Sequence, residues 1–200
     1  FDSDKSTHLT RTPGSAGNRK TWSLSFWVKR STAAFQGIFC GGASGTNSDD
    51  LYFNTDYLEF SAYYGSTQFQ LKTDQVLRDF SAWYHIVISV DTTQSTSADR
   101  INIYINGVKV EDFSIETYPA QDFEFTYLNN TSQHNLGANH YGTPGYYVDG
   151  LITDVHFVDG LALGPGYFGY TDPLTNTWRP KAFRAEGTTV NDGTVWSSTG

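Results

Sequence analysis

The carboxylates are the side chains of this chain that could run acid–base chemistry, and its five glutamates are Glu59, Glu111, Glu116, Glu124 and Glu186. Hydrolysis of a glycosidic bond needs two carboxyl groups facing each other at roughly 5–10 Å. Glu111 and Asp112 are adjacent, so on a strand they would point to opposite faces. Asp122 and Glu124 could share a face, but they fall in an irregular stretch. All of these read as solvated surface carboxylates. Gly41-Gly-Ala-Ser-Gly45 departs from the Gly-x-Ser-x-Gly elbow of serine hydrolases, and no strand–turn–helix pattern surrounds it, so it reads as a turn. His134, His140 and His156 lack the paired spacing of a zinc site, and the single Cys40 offers no thiolate pair. These residues argue against an enzyme.

Binding chemistry has more material. Sugar recognition sets aromatic platforms beside planar polar side chains. Trp27 and Tyr104 fall on the polar faces of their strands, and His140, Tyr141 and Tyr146 share a loop with Asn139. These six form the candidate glycan site. The alternative for Trp27 and Tyr104 is packing beneath a second layer or a neighbouring chain. Oxygen ligands for calcium gather in Asn47-Ser-Asp-Asp50 and near Asp149 and Asp154, so Asp49, Asp50, Asp149 and Asp154 are the candidate metal ligands. The Asp-x-Asn-x-Asp-Gly loop is absent, and scattered turn aspartates are the competing reading. No cofactor is required, and calcium stays open. The sequons at Asn129 and Asn130 matter only in a secreted eukaryotic protein.

Strands must position these residues. Ile86, Ile88 and Val90 share one face of the stretch from Trp83 to Asp91, and Ile101, Ile103 and Ile105 share one face of the next. Asn106-Gly107 suits the tight turn of a hairpin, with Val108 to Val110 returning. Thr21 to Lys29 alternates with Trp22, Leu24, Phe26 and Val28 on one side. Gln36 to Cys40 reads as a short strand stopped by Gly41-Gly42, then a polar loop from Ala43 to Asp50. Leu51 to Phe53 is expected to pair with Tyr57 to Tyr63. Shorter candidates are 69–71, 75–77 and 133–136, and 147–158 closes the set before Asp159-Gly160. Pro119 bars a central strand within 112–133. The expected core contains Leu24, Phe26, Ile86, Ile88, Val90, Ile101, Ile103, Ile105, Val155 and Phe157. Turn residues recur about every 8–12 positions and no long amphipathic helix is legible, which argues for a β-sandwich or barrel.

Composition narrows the classes. A chain of 200 residues can bury roughly 70% of its unfolded surface, so it needs no disulfide or metal to fold. Fourteen Phe, thirteen Tyr and five Trp exceed what a core needs, so some should reach the surface. The net charge of −8 carries no basic footprint for nucleic acid. No apolar run approaches the ~18 residues of a membrane helix, so no membrane insertion is expected. Cys40 lies in an apolar run and reads as a buried thiol, which favours a reducing compartment for folding. Met does not occur, so a trimmed or partial chain is expected, and no signal peptide is legible. After Leu163, Pro and Gly break the pattern. Residues 1–163 read as one domain, and 164–200 as a strap or the start of a following segment. Trp178 and Trp196 suggest that this tail docks on something.

Five motifs occur in the order of one family. Phe1 to Leu9, Trp22 to Val28, Trp83 to Asp91, Ile103-Tyr-Ile-Asn-Gly107, and Gly150 to Phe157 followed by Leu161-Ala-Leu163 together resemble concanavalin A-like lectin/glucanase domains, near the laminin-G and pentraxin branch. The resemblance covers roughly residues 1 to 170 and implies a jelly roll. Glucanase members carry Glu-x-Asp-x-x-Glu on one strand face, and this chain has no such motif. Relatives often hold calcium in loops near one sheet edge, which keeps the four aspartates in view. Leu9 to Pro13, Gly17 to Trp22, Val155 to Leu163 and Trp178-Arg-Pro-Lys181 are also similar to jelly-roll modules in virion proteins of tailed phages, marine ones especially.

The expectation is an all-β, antiparallel β-sandwich of the concanavalin A-like jelly-roll type with an irregular C-terminal extension. The resemblance implies a non-enzymatic virion surface module, folded in the host cytoplasm and placed on a capsid, fibre or spike. Its partners would be other virion proteins, copies of itself and a host cell-surface glycan. The alternatives are a structural cement module without a sugar site, a secreted lectin, and a glucanase-type hydrolase.

Overall fold

The computed structural model of the protein describes residues 1–44, 46–140 and 144–184. In chain order its strands are β1 (Leu9–Arg11), β2 (Thr21–Arg30), β3 (Gln36–Ser44), β4 (Asn47–Asn54), β5 (Tyr57–Tyr64), β6 (Thr67–Val76), β7 (Tyr84–Asp91), β8 (Ile101–Ile105), β9 (Val108–Lys109), β10 (Phe113–Thr117), β11 (His134–Leu136), β12 (Asn139–His140), β13 (Pro144–Gly145), β14 (Gly150–Asp159), β15 (Gly169–Thr171) and β16 (Trp178–Pro180). No α-helix occurs among the described residues. A seven-stranded antiparallel sheet, ordered β1-β11-β3-β4-β5-β6-β10, packs on a five-stranded one, ordered β14-β2-β7-β8-β9. The architecture is the expected antiparallel sandwich.

The five-stranded sheet follows from alternation. Leu24, Phe26, Ile86, Ile88 and Ile103 pair across β2, β7 and β8 in one register and point inward. They meet Phe39, Leu51, Phe53, Phe60 and Leu71 of the other sheet in one continuous core. Eight of the ten expected core residues are buried, whereas Val155 and Phe157 are half-buried and pack at its margin. β14 is the edge strand of its sheet, so its inward side chains are covered from one side only, and its register against β2 shifts between Thr153 and His156, where Asp154 takes a φ of 49°. An extra residue at a bulge re-aims the side chains beyond it.

The turn after β8 has φ of 51° at Asn106 and 82° at Gly107, the left-handed pair that a two-residue hairpin requires. The Asn106 side chain also accepts a hydrogen bond from the His85 backbone N–H at 2.8 Å. Asn106→Ala loses both that bond and the tolerance for this backbone. We expect it to lower stability by about 1–2 kcal/mol, measured as a shift of the urea midpoint.

The seven-stranded sheet corrects part of the sequence reading. Gly41-Gly42 does not stop β3, which runs on to Ser44, and the stretch read as a loop up to Asp50 forms half of β4. A Cβ at Gly41 would stand 3.1 Å from the backbone of Tyr127, a tight approach that glycine relieves. It marks a close approach and not a break. The two short candidates at 69–71 and 75–77 are one strand, β6. Before Pro119, Phe113–Thr117 adds an edge strand, β10, which the proline does not obstruct.

The segment after Leu163 is ordered as far as it is described. β15 and β16 form a ribbon, tied by an Arg179–Asp172 ion pair at 2.9 Å. It lies on the outward face of the five-stranded sheet, where Val87, Leu163 and Phe168 make a small second core. Trp178 docks as expected, whereas Trp196 lies outside the described residues. Cys40 is a buried free thiol, as read from the sequence.

Candidate functional site

On β4, β5 and β6 the outward positions are polar at every second residue. The strand pairs bring Ser48 beside Tyr63, Asp50 beside Ser61, Tyr52 beside Glu59, and Ser61 beside Gln70. A pocket of about 220 Å³ opens on this face, lined among others by Ser48, Asp50, Tyr52, Ser61, Tyr63 and Gln70. Tyr63, 39% exposed, stands at its rim. The ring of Tyr52 meets Phe35 at 4.8 Å, and Phe35 meets Tyr146 at 4.9 Å, so a row of aromatics runs on from the pocket.

Two acids anchor this face. Glu59 is only 1% exposed and accepts hydrogen bonds from the Tyr52 hydroxyl, from Gln70 Nε2 at 2.5 Å and from Asn54 Nδ2 at 3.1 Å. The expectation that it is a solvated surface carboxylate is therefore corrected: cross-strand donors satisfy it inside the sheet face. Asp50 is 5% exposed. Its Oδ2 accepts from the Ser48 hydroxyl, and its Oδ1 has no hydrogen-bond partner. Burial pushes the Asp50 carboxyl up to about 7, with the Ser48 hydrogen bond pulling it down and the neighbouring Asp49 charge adding to the rise.

The structure separates the six residues chosen as a glycan site. Trp27 and Tyr104 lie on the outward face of the five-stranded sheet, on the far side of the sandwich from the pocket. Trp27 is not an open platform. It is 8% exposed, stacked on His85 at 4.8 Å, while Tyr104 packs half-buried against the cluster under the ribbon. Both were correctly placed on outward faces, but a C-terminal layer covers that face. Asn139 is buried in β12, against β3. His140 lies beside it in the same strand, and Tyr141 is outside the described residues. Tyr146 is 55% exposed and joins the pocket side through Phe35. The pocket residues themselves were missed. Their signal was the polar alternation Ser48-x-Asp50-x-Tyr52 and Glu59-x-Ser61-x-Tyr63, hidden by reading 43–50 as a loop.

The four calcium candidates do not converge. Asp49 and Asp50 are adjacent on β4 and face opposite ways. Asp49 accepts from the Tyr64 hydroxyl and from the backbone N–H groups of Tyr127 and Leu128, each at 2.8 Å, so its oxygens are already committed. Asp154 is exposed on the β14 bulge, and Asp149 precedes that strand with its carbonyl bonded to Ser31 N. Among the described residues no three acidic, histidine or cysteine side chains gather as a metal site.

His134 and His85 are structural in their contacts. His134 donates through Nδ1 to the Ser132 carbonyl and accepts from Asn129 N at Nε2. His85 accepts from the Trp178 indole N–H at Nδ1, 2.9 Å away, which places its own proton on Nε2, donated to Ser25 Oγ at 2.9 Å. A histidine in this tautomer cannot take the Ser25 proton, so the Ser25–His85 contact is not a nucleophile–base pair.

The family described as Concanavalin A-like lectin/glucanases superfamily matches residues 3–165. No curated protein matches the sequence. Among solved structures, a heptameric SAP-like pentraxin from Limulus polyphemus aligns with a TM-score of 0.52 at 13% identity, covering 75% of this chain and 69% of that one. Domains LG4-5 of the mouse laminin alpha1 chain align at 0.54 and 12% identity, covering 90% and 43%. The CBM40 of Ruminococcus gnavus IT-sialidase, bound to alpha2,3 sialyllactose, aligns at 0.50 and 13% identity, covering 80% and 93%. At these identities the likeness is one of fold.

Proposed function

Because this chain belongs to the concanavalin A-like lectin/glucanase superfamily, we propose that it is a carbohydrate-binding module, without catalytic activity, that seats a saccharide on the outward face of β4, β5 and β6. The observation that carries this reading is the pocket itself: a polar floor of Asp50 and Ser61, the Gln70 amide beside it, and Tyr63 exposed at the rim. A sugar offers hydroxyls to such a floor and an apolar ring face to such a tyrosine. Binding to a glycan panel tests it. Tyr63→Ala should weaken the best ligand about tenfold, about 1.4 kcal/mol, with an unchanged unfolding midpoint. Full affinity in that variant would move the site elsewhere.

Glycoside hydrolysis is the second reading, favoured by Asp50 and Glu59 sharing one face as diagonal neighbours. Such positions lie about 7–8 Å apart in an antiparallel pair, within the range of an inverting acid and base. Against it, Glu59 is enclosed by its three donors, which leaves no place for the attacking water. Turnover of any glycan, lost in Asp50→Asn, would favour this reading instead.

The proposal extends to setting. The similarity of Leu9 to Pro13 and Trp178 to Lys181 to phage virion modules supports display in several copies on a virion surface, against other virion proteins. Repetition there would raise avidity over a weak single site. Labelling of purified particles with an antibody to this chain tests it. A cement role without sugar binding is the outcome if particles label and no glycan binds.

A further inference from the structure

The chemistry lining the pocket is unbalanced. Among the described residues that line it, Asp50 is the one acidic side chain and none is Lys or Arg. The nearby cation, Lys72, is drawn onto the ring of Tyr57, 4.7 Å from its centre. Ser48 satisfies one oxygen of Asp50, and Oδ1 remains without a donor although the side chain is almost wholly buried. A buried acceptor left unpaired is costly, and a buried carboxylate without a counter-charge more so. Oδ1 is itself closed to solvent, so a ligand donor at this floor meets the carboxyl once the Asp50 side chain turns toward the pocket; it then removes the cost, and a cationic donor removes the larger part.

Resting on the carbohydrate reading above, we propose that the pocket selects an amino sugar with a free amine, which sets its ammonium against Asp50, and rejects sugars that carry a carboxylate. The carboxylate of an acidic sugar would meet Asp50 as a like charge with no cation in the lining to offset it. An N-acetylated amine keeps one N–H donor but loses the charge, so it falls between the two.

Calorimetric titration at neutral pH tests this with three probes: a glucosamine oligosaccharide, its fully N-acetylated counterpart and alpha2,3-sialyllactose. The free amine should bind at least about tenfold more tightly than the acetylated form, and sialyllactose should not bind. Asp50→Asn should remove the difference between the first two, with its fold checked by the unfolding midpoint. Thr67→Lys places a cation at the exposed pocket mouth and should do the same without touching a buried residue. Equal binding of the amine and acetyl forms, an amine preference that survives both substitutions, or tight binding of sialyllactose would each overturn the selectivity while leaving a carbohydrate-binding module in place. No binding to these probes or to any other glycan on a broad panel would overturn the carbohydrate reading itself.

Discussion

Acidification from pH 7 to pH 4 is expected to release the C-terminal ribbon while the sandwich stays folded. The ribbon is held at His85. Trp178 Nε1–H donates to His85 Nδ1 at 2.9 Å, and its indole fills the space over Gly107 and Gly169, where a Cβ would stand within 2.6 Å of the ring. Protonated His85 presents an N–H at both nitrogens, so Nδ1–H would oppose the indole N–H. Burial, then the nearby His156, holds the His85 value down at about 4. His156 is itself lowered by burial, and stacks on Phe168 and Phe183 of the same segment.

The sign follows from which state binds the proton first. As pH falls below about 6.5, the unfolded or undocked chain takes up the histidine proton before the native state does. For global unfolding the stabilisation is therefore complete above about 6.5 and lost progressively toward 4, roughly 3 kcal/mol for His85, and undocking of the ribbon alone releases the share of it that the ribbon's own cover causes. His134, lowered by burial to about 4, adds in the same direction within the sandwich. Asp49 and Asp50 oppose it: burial raises them to about 6 and 7, so the native state binds their protons first and gains stability on acidification. The global midpoint should thus move less than the ribbon does. Hydrogen exchange is the measurement. Protection across β15 and β16 should fall at pH 4 while β2 and β7 remain protected. Unchanged protection of the ribbon at pH 4 would refute the clasp.

Asp49→Ala is expected to cost about 2–6 kcal/mol, because it strands two buried or half-buried backbone N–H groups at roughly 1–3 kcal/mol each. Asp49 is fully buried and holds the irregular 118–133 segment to β4 through Tyr127 N and Leu128 N, with the Tyr64 hydroxyl on its other oxygen. Asp49→Asn keeps one oxygen for the two N–H groups and turns an N–H toward the Tyr64 oxygen, so it should recover most of the loss. The urea midpoints of the two variants decide the matter. An alanine variant within about 1 kcal/mol of the parent would mean that water replaces the carboxylate there.

Part of the fold was legible because period-two alternation reports on a sheet with one buried face. Ile86, Ile88 and Val90, then Ile101, Ile103 and Ile105, name both strands and their shared inner side, and Asn106-Gly107 names the turn. β3 and β4 were only half legible. Gly41 and Gly42 look like an end in sequence, and only the neighbouring chain at Tyr127 and Ser48 explains them as close contacts. The cover over Trp27 and Tyr104 was hidden for a related reason. Alternation says that Trp27 and Tyr104 point away from the core, but it says nothing of what lies over them.

The residues by themselves determined an all-β fold, sandwich or barrel, without a helix signal, its inner faces, its hairpin and its buried thiol, since each depends on local spacing and apolarity. Tertiary structure alone decided the rest. It set the ribbon over His85, enclosed Glu59 with donors from both neighbouring strands, and left Asp50 with one oxygen unpaired beneath a pocket. Those facts arise from strand pairing and layer packing, which local spacing does not display, and a carboxylate in water and a carboxylate in a sheet look alike until the partners around them are known.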